Sequence, residues 1–71
     1  MSAEHLGNRL KVARAEHGLT QEALAALIGS TRKSINAIEM ERMVPSTLLA
    51  LKLARALDAA VEELFFLATA D

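Results

Sequence analysis

The sequence has no cysteine, tryptophan or tyrosine, one proline, three glycines and two phenylalanines in 71 residues. Without cysteine there is no disulfide staple and no thiolate metal site. A domain this short and unstapled relies on tidy helix packing or on a second copy of itself. With Phe65 and Phe66 the sole aromatics, the core must come from Leu, Ile, Val and Ala, in a chain that is 52% hydrophobic. Long apolar runs are missing too. Charges interrupt each one, so no segment approaches a membrane span, and MSAEHLGNRLK lacks the apolar stretch of a signal peptide. One cytoplasmic domain over residues 1–71 is expected. His5 and His17 are too far apart to share a helix face, so no metal is expected, and no cofactor or small-molecule ligand is evident. Ser34 has no histidine at a triad-like spacing, and the glycines form no phosphate loop. The residues therefore do not suggest an enzyme.

Charge is unevenly placed. The net charge is −1, but all eight basic residues precede residue 56, against five acids there. Beyond it stand Asp58, Glu62, Glu63 and Asp71 with no base. The chain is polarised between its parts.

No strand pattern competes with helical spacing, and an all-α chain of five helices is predicted. The first runs from about His5 to His17, with Leu6, Leu10 and Ala13 inward and Gly18 as its left-handed stop. Thr20 caps the second, whose stripe is Leu24, Leu27 and Ile28, and Gly29 ends it. Thr31 caps the third, with Ile35 and Ile38 inward. MERMV and Pro45 make a loop. Ser46 caps the fourth, Thr47 to Leu57, with Leu49, Leu53, Ala56 and Leu57 inward, and Asp58 breaks it. The fifth covers about Val61 to Phe66 and offers Val61, Leu64 and Phe65.

The stretch TQEALAALIGSTRKSINAIE, Thr20 to Glu39, carries the functional signal. Two short helices crossing steeply through a tight joint need a small residue at the crossing, a glycine in the turn and an aliphatic filler. Ala25, Gly29 and Ile35 supply them in an A-x3-G-x5-I frame. This is the geometry of a helix-turn-helix, whose second helix enters the major groove of DNA. Arg32, Lys33 and Ser34 occupy the first turn of that helix, the end that meets base edges. Arg and Lys match guanine acceptors, and Ser is permissive. Gln21 opens the preceding helix, where free amides and the positive dipole end suit a phosphate.

Through GLTQEALA, IG, SINAIE, PS and ALKLARAL, in that order, the chain resembles the phage-repressor-like (Cro/repressor, XRE-type) helix-turn-helix family over about residues 6–66. The nearest type is its short single-domain regulators. The resemblance implies a five-helix, lambda-repressor-like DNA-binding domain. It implies phosphate contacts from Gln21, Thr31 and Arg42, base contacts from Arg32, Lys33 and Ser34, and positions near the groove for Asn36 and Ala37. Arg14 and Glu39 match a pair that joins the first helix to the end of the third. The chain also departs from the pattern. Met40-Glu41-Arg42 stands where an Asn-Gly-Lys type turn is usual, and Glu41 adds a charge that repels phosphate. Ser30 replaces Val, Leu48 replaces an exposed polar residue, Asp58 replaces a terminal Gly and Ala60 replaces a cap.

These residues imply a sequence-specific regulator of double-stranded DNA, a repressor acting on a palindromic operator as a homodimer. The alternative is a protein-interaction module on the same fold, such as an antitoxin-like partner. Met40, Met43 and Val44 either tuck onto the core or form an apolar surface for another protein. Residues 61–71 are expected to contribute to the dimer through Leu64, Phe66 and Leu67, because a large apolar side chain left in water forgoes burial worth roughly 1.5–3 kcal/mol.

Overall fold

Five helices form near their expected places, but the two ends of the chain pair as strands. The computed structural model describes residues 3–70, Ala70 by its backbone alone. The order is β1 (Ala3–Asn8), α1 (Leu10–Glu16), α2 (Gln21–Ile28), α3 (Arg32–Glu39), α4 (Thr47–Ala56), α5 (Val61–Leu64) and β2 (Phe65–Ala70). β1 and β2 lie antiparallel, with Leu6 opposite Leu67, Gly7 opposite Phe66 and Asn8 opposite Phe65. The all-α expectation is corrected in this respect: the fold is a five-helix helix-turn-helix domain with a two-stranded sheet.

The strands have local causes. A helix from His5 would carry Gly7 in its interior, an unfavourable position. Instead Asn8 Oδ1 accepts the Leu10 amide at 3.1 Å, and the helix starts there. At the other end, α5 stops at Leu64 and Phe65 turns to φ −128°, ψ 144°. Phe66 then covers its cross-strand glycine. A Cβ on Gly7 would lie 2.5 Å from Phe66 Cε2 and 2.7 Å from Cζ. The Arg9 guanidinium sits 4.5 Å from the centre of the same ring. Gly7→Ala is therefore expected to cost about 1–3 kcal/mol by overpacking. In a urea titration, Phe66→Ala in the same background should recover part of that loss. Strict additivity of the two changes would show that the ring does not rest on Gly7.

The core is aliphatic. Leu10, Leu24, Ile35, Ile38, Leu53, Leu57 and Leu64 are almost wholly enclosed, joined by Ala25, Ile28, Ala54 and Phe65. One inward expectation fails. Leu27 is 63% exposed, because the buried arc of α2 runs through Leu24, Ala25 and Ile28 and Leu27 lies off its edge. Helices α1 to α4 end alike. The amide of the left-handed residue that closes each helix returns to the carbonyl three residues back, and the next amide to the carbonyl five residues back. Glycine at φ 65° serves α1 (Gly18) and at φ 66° serves α2 (Gly29). The same left-handed place after α3 is held by Glu41 at φ 61°, and after α4 by Asp58 at φ 49°.

Candidate nucleic-acid interface

Helix α3 is divided cleanly between inside and outside. Ile35 and Ile38 are buried, Ser34 and Ala37 half-buried, and Thr31, Arg32, Lys33 and Asn36 exposed. The 3.6-residue period places those exposed groups on the face away from the core, mostly in the first turn. Its start is fixed by Thr31, whose Oγ1 accepts the Ser34 amide at 3.1 Å and donates to Ser34 Oγ at 3.0 Å. The α2–α3 joint follows the A-x3-G-x5-I frame. Ala25 is 3% exposed, Ile35 is fully enclosed, and Gly29 takes the left-handed turn between them.

A polar network locks the two helices from the side. Glu39 lies at the end of α3 with its side chain only 4% exposed. It accepts from Arg14 Nε at 2.8 Å and Nη2 at 3.2 Å. The third arm of Arg14, Nη1, donates to the Leu19 carbonyl at 2.8 Å. The hydrogen bond to Glu39 raises the Arg14 pKa above its ordinary value, against the opposing pull of burial and with added help from the carboxylate's charge. On the same carboxylate, Glu39 Oε1 also accepts from Gln21 Nε2 at 3.1 Å. Gln21 Nε2 donates again to Asn36 Oδ1 at 3.1 Å. A carboxylate can only accept, so it fixes which end of Gln21 faces it. That leaves Gln21 Oε1 and the Asn36 amino group as the acceptor and donor without a hydrogen-bond partner among the described residues. Gln21 is thus held at the base of α3, half-buried beside an exposed Asn36.

The loop after α3 departs least where it looked most divergent. The Glu41 amide donates to the Ile38 carbonyl at 3.0 Å and the Arg42 amide to Ala37 at 2.8 Å. The turn that a glycine usually makes is therefore kept with Glu41 in its place, at a backbone cost of roughly 1–2 kcal/mol. The Glu41 carboxylate is turned to β1, with Oε1 3.0 Å from His5 Nε2. Arg42 is exposed. The Met40, Met43 and Val44 group divides. Met43 packs on the core, while Met40 is 56% and Val44 72% exposed.

The contacts that Asn8 and His5 make with the end of α3 escaped the sequence reading. Asn8 Nδ2 donates to the Ile38 carbonyl at 2.9 Å, tying β1 to the end of α3 across thirty positions. No local signal marks a contact so distant along the chain. The residues expected at a dimer surface separate as well. Leu64 is 1% exposed in its own core, which corrects its place in that set. Phe66 is half-buried over Gly7 and Arg9. Leu67 is 72% exposed. Residue 71 lies outside the described residues.

Comparison with known proteins agrees with this geometry. The helix-turn-helix family model matches residues 10–64. An uncharacterised HTH-type transcriptional regulator of Bacillus subtilis is 43% identical over 60 residues, which cover 84% of this chain and 91% of that one. One from Methanocaldococcus jannaschii is 45% identical over 58 residues, covering 82% and 88%. Among solved structures, the restriction-modification controller protein C.AhdI of Aeromonas hydrophila superposes with a TM-score of 0.74 at 40% identity, over 78% of this chain and 83% of that one. A putative DNA-binding protein of Bacteroides fragilis gives 0.78 at 28% identity, over 86% and 98%.

Proposed function

Because this chain belongs to the helix-turn-helix family of the XRE type, we propose that it is a DNA-binding transcriptional regulator that reads duplex DNA with α3. It is not an enzyme. The observation that carries this reading is the division of α3: Ile35 and Ile38 inward, and Arg32, Lys33 and Asn36 outward beside the anchored Gln21. Arg32, Lys33 and Ser34 meet base edges, with Asn36 and Ala37 further along the groove. Gln21, Thr31 and Arg42 set the register on phosphates. Two copies bind a palindromic operator as a cytoplasmic homodimer, with recognition helices about 34 Å apart. The proposed role extends to repression, in which the occupied site excludes the transcription machinery. Among the described residues no helix is long and apolar enough to cross a membrane.

Selection from randomised duplexes by gel shift, followed by sequencing of the bound pool, tests the reading. An enriched palindrome is expected. Lys33→Ala should relax preference at one position per half-site and cost about 1–3 kcal/mol there. Gln21→Ala should weaken all sites alike. No enrichment at low salt would instead favour the protein-interaction module on the same fold.

A further inference from the structure

The two outer edges of the terminal sheet are not equivalent. Residues along β1 alternate between its faces, so His5 and Asn8 lie on opposite sides of the strand. Both nevertheless reach the same segment, His5 to Glu41 and Asn8 to the Ile38 carbonyl. The end of α3 therefore flanks β1. Glu4 and His5 also give that edge ionisable side chains, a common protection against further pairing. The β2 edge has none of these devices. Its sequence, FFLATA, carries no charge and no proline, and its pairing with β1 runs residue for residue without a bulge.

Hydrogen-bond alternation identifies what the β2 edge offers. The Arg9 amide donates to the Leu64 carbonyl at 2.8 Å, one step beyond the Asn8–Phe65 pair. Bonded pairs in an antiparallel ladder recur at every second residue. Gly7–Phe66 and His5–Ala68 are therefore bonded pairs, and the amides and carbonyls of Leu67 and Thr69 point outward. No other segment among the described residues bonds to either backbone. The Phe65 amide is taken by the Val61 carbonyl, which leaves the Phe65 carbonyl. Leu67, 72% exposed, is in the middle of this strip.

We propose that β2 pairs antiparallel with β2 of a second copy of this chain, centred on Leu67, to make a four-stranded sheet across the dimer two-fold. This deepens the homodimer reading above and rests on it. In the Leu67-centred register the two Leu67 backbones exchange both bonds. Each Thr69 amide then meets the partner's Phe65 carbonyl, the acceptor that α5 leaves free. The two Leu67 side chains fall on one face and cover each other, and each Phe66 ring gains the partner's Ala68 as a neighbour. The surface is self-complementary, as a two-fold interface requires. It uses Leu67 from the expected dimer set and needs neither Leu64 nor a movement of Phe66.

Cross-linking decides it, because the chain has no cysteine of its own. Directly opposed bonded residues have Cα atoms about 5.5 Å apart, within disulfide reach. Leu67→Cys should form a covalent dimer on mild oxidation, and Thr69→Cys, displaced from its own mate, should form little. In sedimentation equilibrium, Leu67→Lys should weaken the wild-type dimer about tenfold or more, with helical circular dichroism unchanged. A dimeric wild type in which Leu67→Cys cross-links no better than Thr69→Cys overturns the sheet interface and leaves the homodimer standing. A monomeric wild type at micromolar concentration overturns both.

Discussion

Glu39→Ala is expected to lower stability by about 1.5–3 kcal/mol, because it takes the counter-charge and two charged hydrogen bonds from the partly buried Arg14 guanidinium. Folded domains hold roughly 0.05–0.15 kcal/mol per residue, so the loss takes a large share of what a chain of 71 residues has. Thermal unfolding should shift down by more than about 5 °C. Three donors converge on this carboxylate, two from Arg14 and one from Gln21. Its removal therefore unties α1 from α3 and releases Gln21 as well. Removing both charges should hurt less than removing one, since a lone, partly desolvated charge is the costly state. A double-mutant cycle with Arg14→Met and Glu39→Leu measures the coupling. Small additive effects would reduce the pair to two independent charges. DNA binding supplies a second reading. Glu39→Gln keeps the shape but can donate as well as accept, so it no longer fixes the orientation of Gln21. Affinity should fall across all operators together, and the base preference set by Lys33 should remain.

The helix-turn-helix was legible because its information is local. Thr20, Thr31 and Ser46 each receive the amide three residues on, as their positions before apolar runs foretold. Gly29 and Ile35 occupy the turn and the crossing because few other residue types fit either place. The terminal sheet was not legible, since its register joins residues about sixty positions apart. Leu6, Leu10 and Ala13 also satisfy a helical period, so periodicity alone could not exclude a longer α1. Gly7 and Asn8 held the missing signal. Glu41 was read as a charge facing DNA, whereas its backbone replaces a glycine and its carboxylate turns to His5. A glutamate carries no turn signature, so a left-handed cap made by one is invisible in sequence. Of the candidate interface, the positions of Arg32, Lys33 and Asn36 could be read from the helical period. The Gln21–Asn36 link could not, because it joins two helices at a crossing angle that sequence does not state.

Ile35→Ala is expected to lower stability by about 2–5 kcal/mol, against about 0.5–1.5 kcal/mol for Ile35→Val. Ile35 is fully enclosed at the joint of α2 and α3, with Leu24 and Ala25 in the facing helix. Truncation leaves a void where the two backbones already approach closely, so the surroundings can collapse little. Two positions earlier on the same helix, Lys33 is exposed. Lys33→Ala should move the urea midpoint by no more than a surface change does, within about 0.5 kcal/mol. The two substitutions therefore separate the faces of α3. Lys33→Ala changes base preference with stability kept, and Ile35→Ala changes stability with base preference kept in whatever fraction remains folded. Urea titrations paired with binding-site selection at low temperature measure both quantities. Equal midpoints for Ile35→Ala and wild type would mean that α3 does not cross α2 through this side chain. A changed base preference in folded Ile35→Ala would mean that the crossing sets which bases α3 reaches, and not only how firmly it is held.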